Sequence, residues 1–225
     1  MLPATLITAS HQRRGQANSH SETAYRILKE KIVTLELPPA CLLNEADLMA
    51  ELGLGRTPIR EALQRLALED LVVILPRRGT IVADLNISDL QKVFELRLEL
   101  ETFMVRLAAE RATPEEIVEM ETLFVDADAI IRNGDYHQLI HLDIEAHRLL
   151  AAAAHNEFLA ETLERLYTHV LRLWYVSLHK VRRLPEALEE HRHIIAAVKA
   201  GDGARASEIM RTHITGFQKE FAAVL

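Results

Sequence analysis

The sequence is poor in cysteine, in aromatic residues and in long apolar runs. Cys41 is its single cysteine, so an intrachain disulfide is excluded and a reducing compartment, the cytoplasm, is expected. No apolar run reaches 18 residues, which argues against a membrane span. Aromatic residues make up 5% of the chain and hydrophobic residues 49%, so the buried cores should be aliphatic and largely helical.

Positive charge is also scarce, and it is unevenly distributed. The formal net charge is −7, which is unusual for a protein that binds nucleic acid. Residues 1–83 contain 10 Lys/Arg and 9 Asp/Glu, whereas residues 84–225 contain 16 Lys/Arg and 24 Asp/Glu. Only the first part could therefore approach phosphates without broad repulsion. Residues 1–20 do not have the pattern of a signal peptide and are expected to form a disordered leader.

The chain is organised around residues 44–69, where two amphipathic helical segments flank the break Gly53-Leu54-Gly55. Thr57 can cap the second segment, which places Pro58 at the first helical position, where its missing N–H has no cost. Two helices joined by a tight turn form a unit that reads DNA.

The polar face of the second segment has three residues that recur at every fourth position, Arg56, Arg60 and Gln64. This spacing places them on one side of a helix. Arginine can donate to O6 and N7 of guanine in the major groove, and glutamine can pair with adenine. The alternative interpretation is a solvated basic face on an ordinary helix.

A β-hairpin with a basic tip is predicted directly after these helices. Residues 71–75 are a short β-branched run that predicts a first strand, and residues 76–79 predict a turn. Residues 80–82 predict the second strand. Such a hairpin can place Arg77 and Arg78 against phosphates or in the minor groove, and Gly79 allows a close backbone approach.

At these residues the sequence resembles a known family. Residues 25–82 are similar to the winged helix-turn-helix domain of the GntR superfamily of bacterial transcription regulators, and residues 55–63 carry the most specific part of the match. The resemblance implies that Arg56 and Arg60 contact DNA, that Thr57 contacts a phosphate, and that residues 77–79 form the wing tip. Some members have an arginine where this chain has Ala46, which leaves the operator preference open.

Only helices are predicted after the hairpin. Thr113 and Glu116 form a capping box, and Gly134 and Gly201 mark helix ends. The predicted helices cover residues 88–111, 113–132, 135–153, 156–182, 185–200 and 204–221. The fold class is therefore mainly α, with a winged helix-turn-helix domain (residues 21–83), a linker (84–87) and an antiparallel all-α bundle (88–225).

Histidines and an aspartate in the bundle have the spacing of a metal site. Asp143 and His147 are four residues apart and share a helix face. His191 and His213 are each 11 residues from Asp202, so they lie at the same height if the two helices form an antiparallel hairpin. One carboxylate and three imidazoles suit a divalent transition metal, with zinc ranked first and nickel, manganese or iron left open. The alternative is ordinary core or surface histidines.

Residues 88–221 are similar to the FCD ligand-binding domain, which follows the winged helix in the FadR-like branch of the family. The matching marks are Glu95-Leu96-Arg97, Asp143 with His147, Glu190-His191, and His213. The resemblance implies that Asp143 and the three histidines hold a metal, and that the protein is a homodimer on an inverted-repeat operator. Arg97 would pair with a carboxylate effector; the alternative is an ion pair with Glu101, four residues further on.

These features together indicate a transcription regulator, not an enzyme. The expected activity is that of a transcription regulator, a repressor or an activator, whose operator affinity is controlled by a small carboxylate metabolite at the metal-containing pocket. Two alternatives remain open: a metal-dependent hydrolase that uses the Asp/His₃ site, and a regulator for which the metal itself is the signal.

Overall fold

The computed structural model describes residues 20–177 and 183–224. The chain forms two compact units, Met1–Leu85 and Asn86–Leu225. Residues 1–19 of the expected leader lie outside the described residues, and the domain bounds given above remain a prediction. Among the described residues, no helix is long and apolar enough to cross a membrane.

The first unit combines three helices with a small sheet, as the prediction of a winged helix-turn-helix requires. Its elements are α1 (residues 20–33), β1 (Leu42–Leu43), α2 (Glu45–Leu52), α3 (Arg56–Leu68), β2 (Val72–Leu75) and β3 (Gly79–Val82). An aliphatic core holds them together, with its fully buried members Leu28, Ile32, Ile59, Leu66 and Leu71.

The turn between α2 and α3 has the expected glycines but not the expected cap. Gly53 ends α2 in the left-handed conformation, with φ 64°. Helix α3 begins at Arg56 after Gly55, and no side chain caps it, so the prediction that Thr57 is the cap and Pro58 the first helical residue is wrong. Pro58 is the third residue of α3, a position that tolerates proline because the first four N–H groups of a helix have no intrahelical partner.

The sheet has three strands where the sequence predicted a two-stranded hairpin. Strands β2 and β3 pair antiparallel as expected, with Val73 opposite Ile81. Strand β1 adds to the other side of β3, with Leu42 opposite Ile81, which gives the order β1-β3-β2. A strand of two residues has too few positions to show an alternating pattern, so periodicity could not reveal it.

The second unit is a bundle of helices, as predicted. Its elements are α4 (Ile87–Arg111), α5 (Pro114–Leu123), α6 (Ala127–Asn133), α7 (Tyr136–Ala153), α8 (Glu157–Ser177), α9 (Leu184–Lys199) and α10 (Gly203–Val224). The end predicted for the fourth helix, residues 178–182, lies outside the described residues. Helix α10 packs along α4 and α9, so the first and last helices of this unit are in contact.

The single helix predicted for residues 113–132 is wrong, because the chain forms α5 and α6 instead. The capping box at Thr113 is present as predicted. However, α5 ends at Leu123, and the carbonyl of Phe124 accepts a hydrogen bond from Arg192 of α9 (3.2 Å). The buried Phe124 ring stacks on His191, with 6.0 Å between ring centroids. The break also keeps local backbone hydrogen bonds, such as that from the N–H of Ala127 to the carbonyl of Phe124 (3.3 Å). Contacts from α9 thus accompany a turn that no glycine or proline marks in the sequence.

Candidate DNA interface and metal centre

Helix α3 separates an apolar face from a polar one. Ile59, Ala62, Leu63 and Leu66 are buried in the first unit. The four side chains predicted to contact DNA all lie on the exposed side: Arg56, Thr57, Arg60 and Gln64. The arrangement leaves donors and acceptors of this face accessible to a duplex.

The wing tip is exposed and basic. Arg77, Arg78 and Gly79 are all accessible, and neither arginine side chain makes a hydrogen bond or ion pair with another described residue. Gly79 has φ 98°, a conformation that side chains rarely adopt, and its α-carbon faces Leu42 closely enough for an added Cβ to touch it at 3.4 Å. The glycine is therefore needed for the turn itself.

A carboxylate that sequence reasoning missed lies beside the arginines of α3. The two oxygens of Glu45 accept hydrogen bonds from Nε of Arg60 at 3.0 and 2.9 Å. One of them also lies 3.8 Å from Nε of Arg56. The tight turn brings the start of α2 next to the start of α3, and sequence distance does not show this contact.

The four predicted metal ligands meet at one point in the second unit. Asp143 and His147 lie one turn apart on α7, His191 lies on α9, and His213 lies on α10. None is more than 2% exposed, and one ligand atom from each falls within 4.8 Å of all the others. The ring centroids of His191 and His213 are 4.4 Å apart, so the two imidazoles meet across the hairpin as expected.

The polar atoms of this cluster fit a cation. Oδ1 of Asp143 and both ring nitrogens of His191 are buried and make no hydrogen bond of normal geometry among the described residues. Nε2 of His147 lies 3.2 Å from Nε2 of His213. Buried polar atoms without partners carry a large desolvation cost, and a cation bound among them would remove it.

Two glutamates fix which nitrogen each histidine can offer. Oε2 of Glu101 is in ion-pair contact with Nδ1 of His147, and Oε2 of Glu190 lies 3.0 Å from Nδ1 of His213. A proton on Nδ1 can be donated to the glutamate, which leaves the lone pair of Nε2 for a metal. Both histidines thus face the cluster with the nitrogen that a metal requires.

Burial and neighbouring charge set the protonation of the cluster. Burial lowers the pKa of His191 and His213 well below the ordinary value, and repulsion from His147 lowers both further. The pKa of Asp143 rises to about 6, chiefly because of burial. Burial would also raise the pKa of Glu101, but the charges of Arg97 and His147 outweigh it and hold that pKa at about 2. Neutral imidazoles beside a carboxylate are the forms that bind a divalent cation.

Arg97 lies at the edge of this cluster and is fully buried. Its Nε donates to Oε1 of Glu101 at 2.5 Å, so the ion pair weighed as an alternative exists. Its Nη2 lies 3.5 Å from Nε2 of His147. The two interpretations of Arg97 are therefore compatible, because one end of the guanidinium holds Glu101 while the other faces the cluster.

The outer contacts of His213 involve a glycine that the sequence did not explain. Arg183 pairs with Glu190, the partner of His213. The guanidinium of Arg183 crosses α10 at Gly216, where an added Cβ would lie 2.4 Å from its Nε. A side chain at position 216 would thus displace Arg183.

Four other histidines of the second unit lie on its surface. His137, His141, His155 and His193 are exposed. His141 and His193 each lie two residues from a member of the cluster, which turns them to the opposite side of their helices. His155 lies 3.1 Å from Glu116. His179 lies outside the described residues.

The fold and the cluster define a class of protein, a regulator with a DNA-reading winged helix and a second, helical unit built around a buried polar cluster. The model of bacterial regulatory proteins of the gntR family matches residues 20–82, and the model of the FCD domain matches residues 92–216. The chain therefore belongs to the gntR family and carries an FCD domain.

Curated relatives and solved structures agree with this family. The chain is 30% identical over 200 residues to the transcriptional repressor GlaR of Escherichia coli, covering 84% of this chain and 90% of that protein. It is 27% identical to the E. coli repressor RspR, covering 86% and 85%. The structure of E. coli McbR/YncC matches with a TM-score of 0.80 at 23% identity, covering 91% and 97%. The predictions of family and of fold class are confirmed, and the hydrolase alternative finds no support in these relatives.

Proposed function

We propose that this regulator binds an inverted-repeat operator as a homodimer and responds to a small carboxylate metabolite that binds beside a metal in the FCD domain. It acts as a cytoplasmic repressor, the activity named for GlaR and RspR. One observation carries the proposal: four buried ligand side chains converge within 4.8 Å, and the buried guanidinium of Arg97 lies against them. Buried polar atoms without partners are rare in protein cores, and a bound ion accounts for those of the described residues here.

The ligand set suits a first-row divalent metal, with zinc as the first choice and nickel, manganese or iron as the others. His147, His191 and His213 would supply nitrogen and Asp143 oxygen. When bound, the ion supplies positive charge and open coordination positions for oxygen atoms of an effector. The protein supplies the orientation, because Glu101 and Glu190 hold two of the imidazoles with Nε2 inward.

Arg97 is the proposed partner of the effector carboxylate. Glu101 occupies its Nε, but its Nη2 points to the cluster. An effector carboxylate that reaches the cluster can accept hydrogen bonds from this end of the guanidinium. Arginine favours such pairing with carboxylates. The incoming charge would compete with Glu101 for Arg97, so binding would change the contacts of α4.

Helix α4 is the element suited to transmit this change. It carries Arg97 and Glu101, and it begins at Ile87, directly after the division between the two units. Helix α10, which carries His213, packs along it. In a homodimer, a shift of α4 would alter the spacing of the two winged helices, and half-sites of fixed spacing would then be bound with different affinity.

Selection from genomic DNA tests this function. The purified protein is incubated with fragments of its own genome near physiological salt, and the retained fragments are sequenced. We expect a short inverted repeat upstream of a few operons, whose neighbouring genes name candidate effectors. Absence of enrichment, with and without metal and small acids, would contradict the proposal.

A metal-sensing regulator is the second candidate, because the same buried ligands would respond to the metal alone. Three imidazole ligands with open coordination positions suit several divalent metals, so this cluster is poorly selective and we rank metal sensing below effector sensing. Separate titrations of metal and of carboxylic acids distinguish the two, since only a metal sensor changes its DNA affinity with metal alone.

A further inference from the structure

The contact between α2 and α3 carries an inference about how DNA sequence is read. Glu45 is the first residue of α2, and its side chain is 33% exposed. Asn44 caps this helix by accepting a hydrogen bond from the N–H of Ala46 (2.9 Å), which fixes the backbone that carries Glu45. The carboxylate is therefore held at a defined place beside the polar face of α3.

The hydrogen bonds of Glu45 use only one side of Arg60. Both carboxylate oxygens accept from Nε, at 3.0 and 2.9 Å, so the two Nη groups of Arg60 make no hydrogen bond with any described residue. The Nη groups are among the donors with which arginine clamps O6 and N7 of guanine. A hydrogen bond at Nε restrains the arginine side chain before DNA is bound. Such a side chain loses less conformational freedom on binding a base than an arginine without this hydrogen bond.

The same carboxylate also discourages contacts that do not depend on sequence. It lies 3.8 Å from Nε of Arg56, so one negative charge faces both arginines of the α3 face. Phosphate contacts provide nearly all of the affinity for random DNA, and a carboxylate at the interface weakens them. Loss of this charge would therefore have two effects: it would raise the affinity for random DNA, and it would leave the side chain of Arg60 without its partner.

We propose that Glu45 is a specificity-determining residue, which positions Arg60, and secondarily Arg56, for base contacts and weakens binding to random DNA. This inference rests on the proposed role of α3 as the recognition helix. Glu45 itself makes no base contact in this account; it acts through the arginines.

The test compares Glu45→Gln with Glu51→Gln. Glu51 lies on the same helix, and its substitution removes the same charge. Its carboxylate pairs with Lys31 of α1 and not with a residue of α3. Each variant is measured by fluorescence anisotropy on a duplex selected by the wild-type protein and on a scrambled duplex of equal composition. For Glu45→Gln we expect the affinity ratio between the two duplexes to fall roughly tenfold, about the value of one good base contact. Glu51→Gln should keep the wild-type ratio.

A double substitution separates positioning from a general charge effect. In an Arg60→Ala background, Glu45→Gln should change the ratio far less than it does in the wild type, because the residue it positions is gone. Circular dichroism confirms that each variant is folded. An unchanged ratio in Glu45→Gln, an equal loss in Glu51→Gln, or an undiminished effect in the Arg60→Ala background would each overturn the proposal. If Arg60→Ala alone keeps the wild-type ratio, the recognition-helix assignment itself fails.

Discussion

The side chains around the buried Asp/His cluster differ in protonation as well as in position. Glu101 and Glu190 each contact Nδ1 of a histidine, so Nε2 of His147 and His213 faces inward. The convergence of Asp143 and the three histidines could be predicted from sequence because four-residue spacing and equal distance from a turn fix helix faces and heights. The two glutamates could not, because their contacts depend on rotamers and on the rotation of neighbouring helices.

Removal of one ligand should separate the metal site from DNA reading. We expect His213→Ala to lower metal content and to blunt the response to an effector, because one of four ligands is lost, while DNA binding without effector stays largely intact. Elemental analysis and anisotropy measure the two properties. His193→Ala is the matched control, since that histidine is exposed on α9. Normal metal content in His213→Ala would refute the ligand set.

The outer partner of His213 should matter even though it is not a ligand. Glu190→Ala removes the acceptor of Nδ1, and loss of such partners typically weakens metal binding about 10- to 100-fold. Competition with a fluorescent chelator measures the dissociation constant. Glu189→Ala removes the neighbouring carboxylate, which pairs with Arg192 instead. Equal metal affinities in the two variants would contradict the role of Glu190.

Among the residues proposed to contact DNA, Arg60 is the one whose substitution should change base preference most. We expect Arg60→Ala to cost about 1–3 kcal/mol at a selected operator and to relax preference at one base position. Selection from a randomised library reports the preference, and anisotropy reports the affinity. Arg205→Ala, an equal loss of charge on α10, should leave both unchanged. An unaltered preference in Arg60→Ala would show that α3 does not read bases.

At the scale of elements, periodicity located the helices but not their interruptions. The break between α5 and α6 is stabilised by Arg192 and by the stacking of Phe124 on His191, which are contacts from α9. Strand β1 is too short to show a pattern. Two local signals, the capping box at Thr113 and the glycine at 53, were predicted correctly, since the residues that form them are adjacent in sequence. The equally local prediction of a cap at Thr57 failed because α3 begins two residues earlier, after Gly55.

Helix α10 contains a glycine whose role can be measured. In Gly216→Ala, the helix itself gains about 1 kcal/mol from propensity, but the added methyl group displaces Arg183 from its place beside Glu190. We expect an unchanged or higher melting temperature together with weaker metal binding. Thr212→Ala, at an exposed position of the same helix, is the control. Gly216→Ala with wild-type metal affinity would show that Arg183 does not support His213.

At the scale of the whole molecule, the two units differ in net charge as well as in the candidate sites they carry. The nearly neutral first unit presents exposed arginines on α3 and on the wing, whereas the acidic second unit encloses the buried cluster. Sequence alone predicted this order of domains and the mainly α fold. The selectivity for an effector and for an operator sequence depends on side chains from several elements at once. No local sequence pattern therefore predicts it.

The most direct test measures operator affinity in four states: metal-free or metal-loaded protein, each with and without a panel of small carboxylic acids. We predict that metal alone has little effect, and that one class of acid changes the affinity of the loaded protein only. Arg97→Ala and His213→Ala should each abolish that change. A full response to metal without any acid, or the same response to acids in the metal-free protein, would contradict the account.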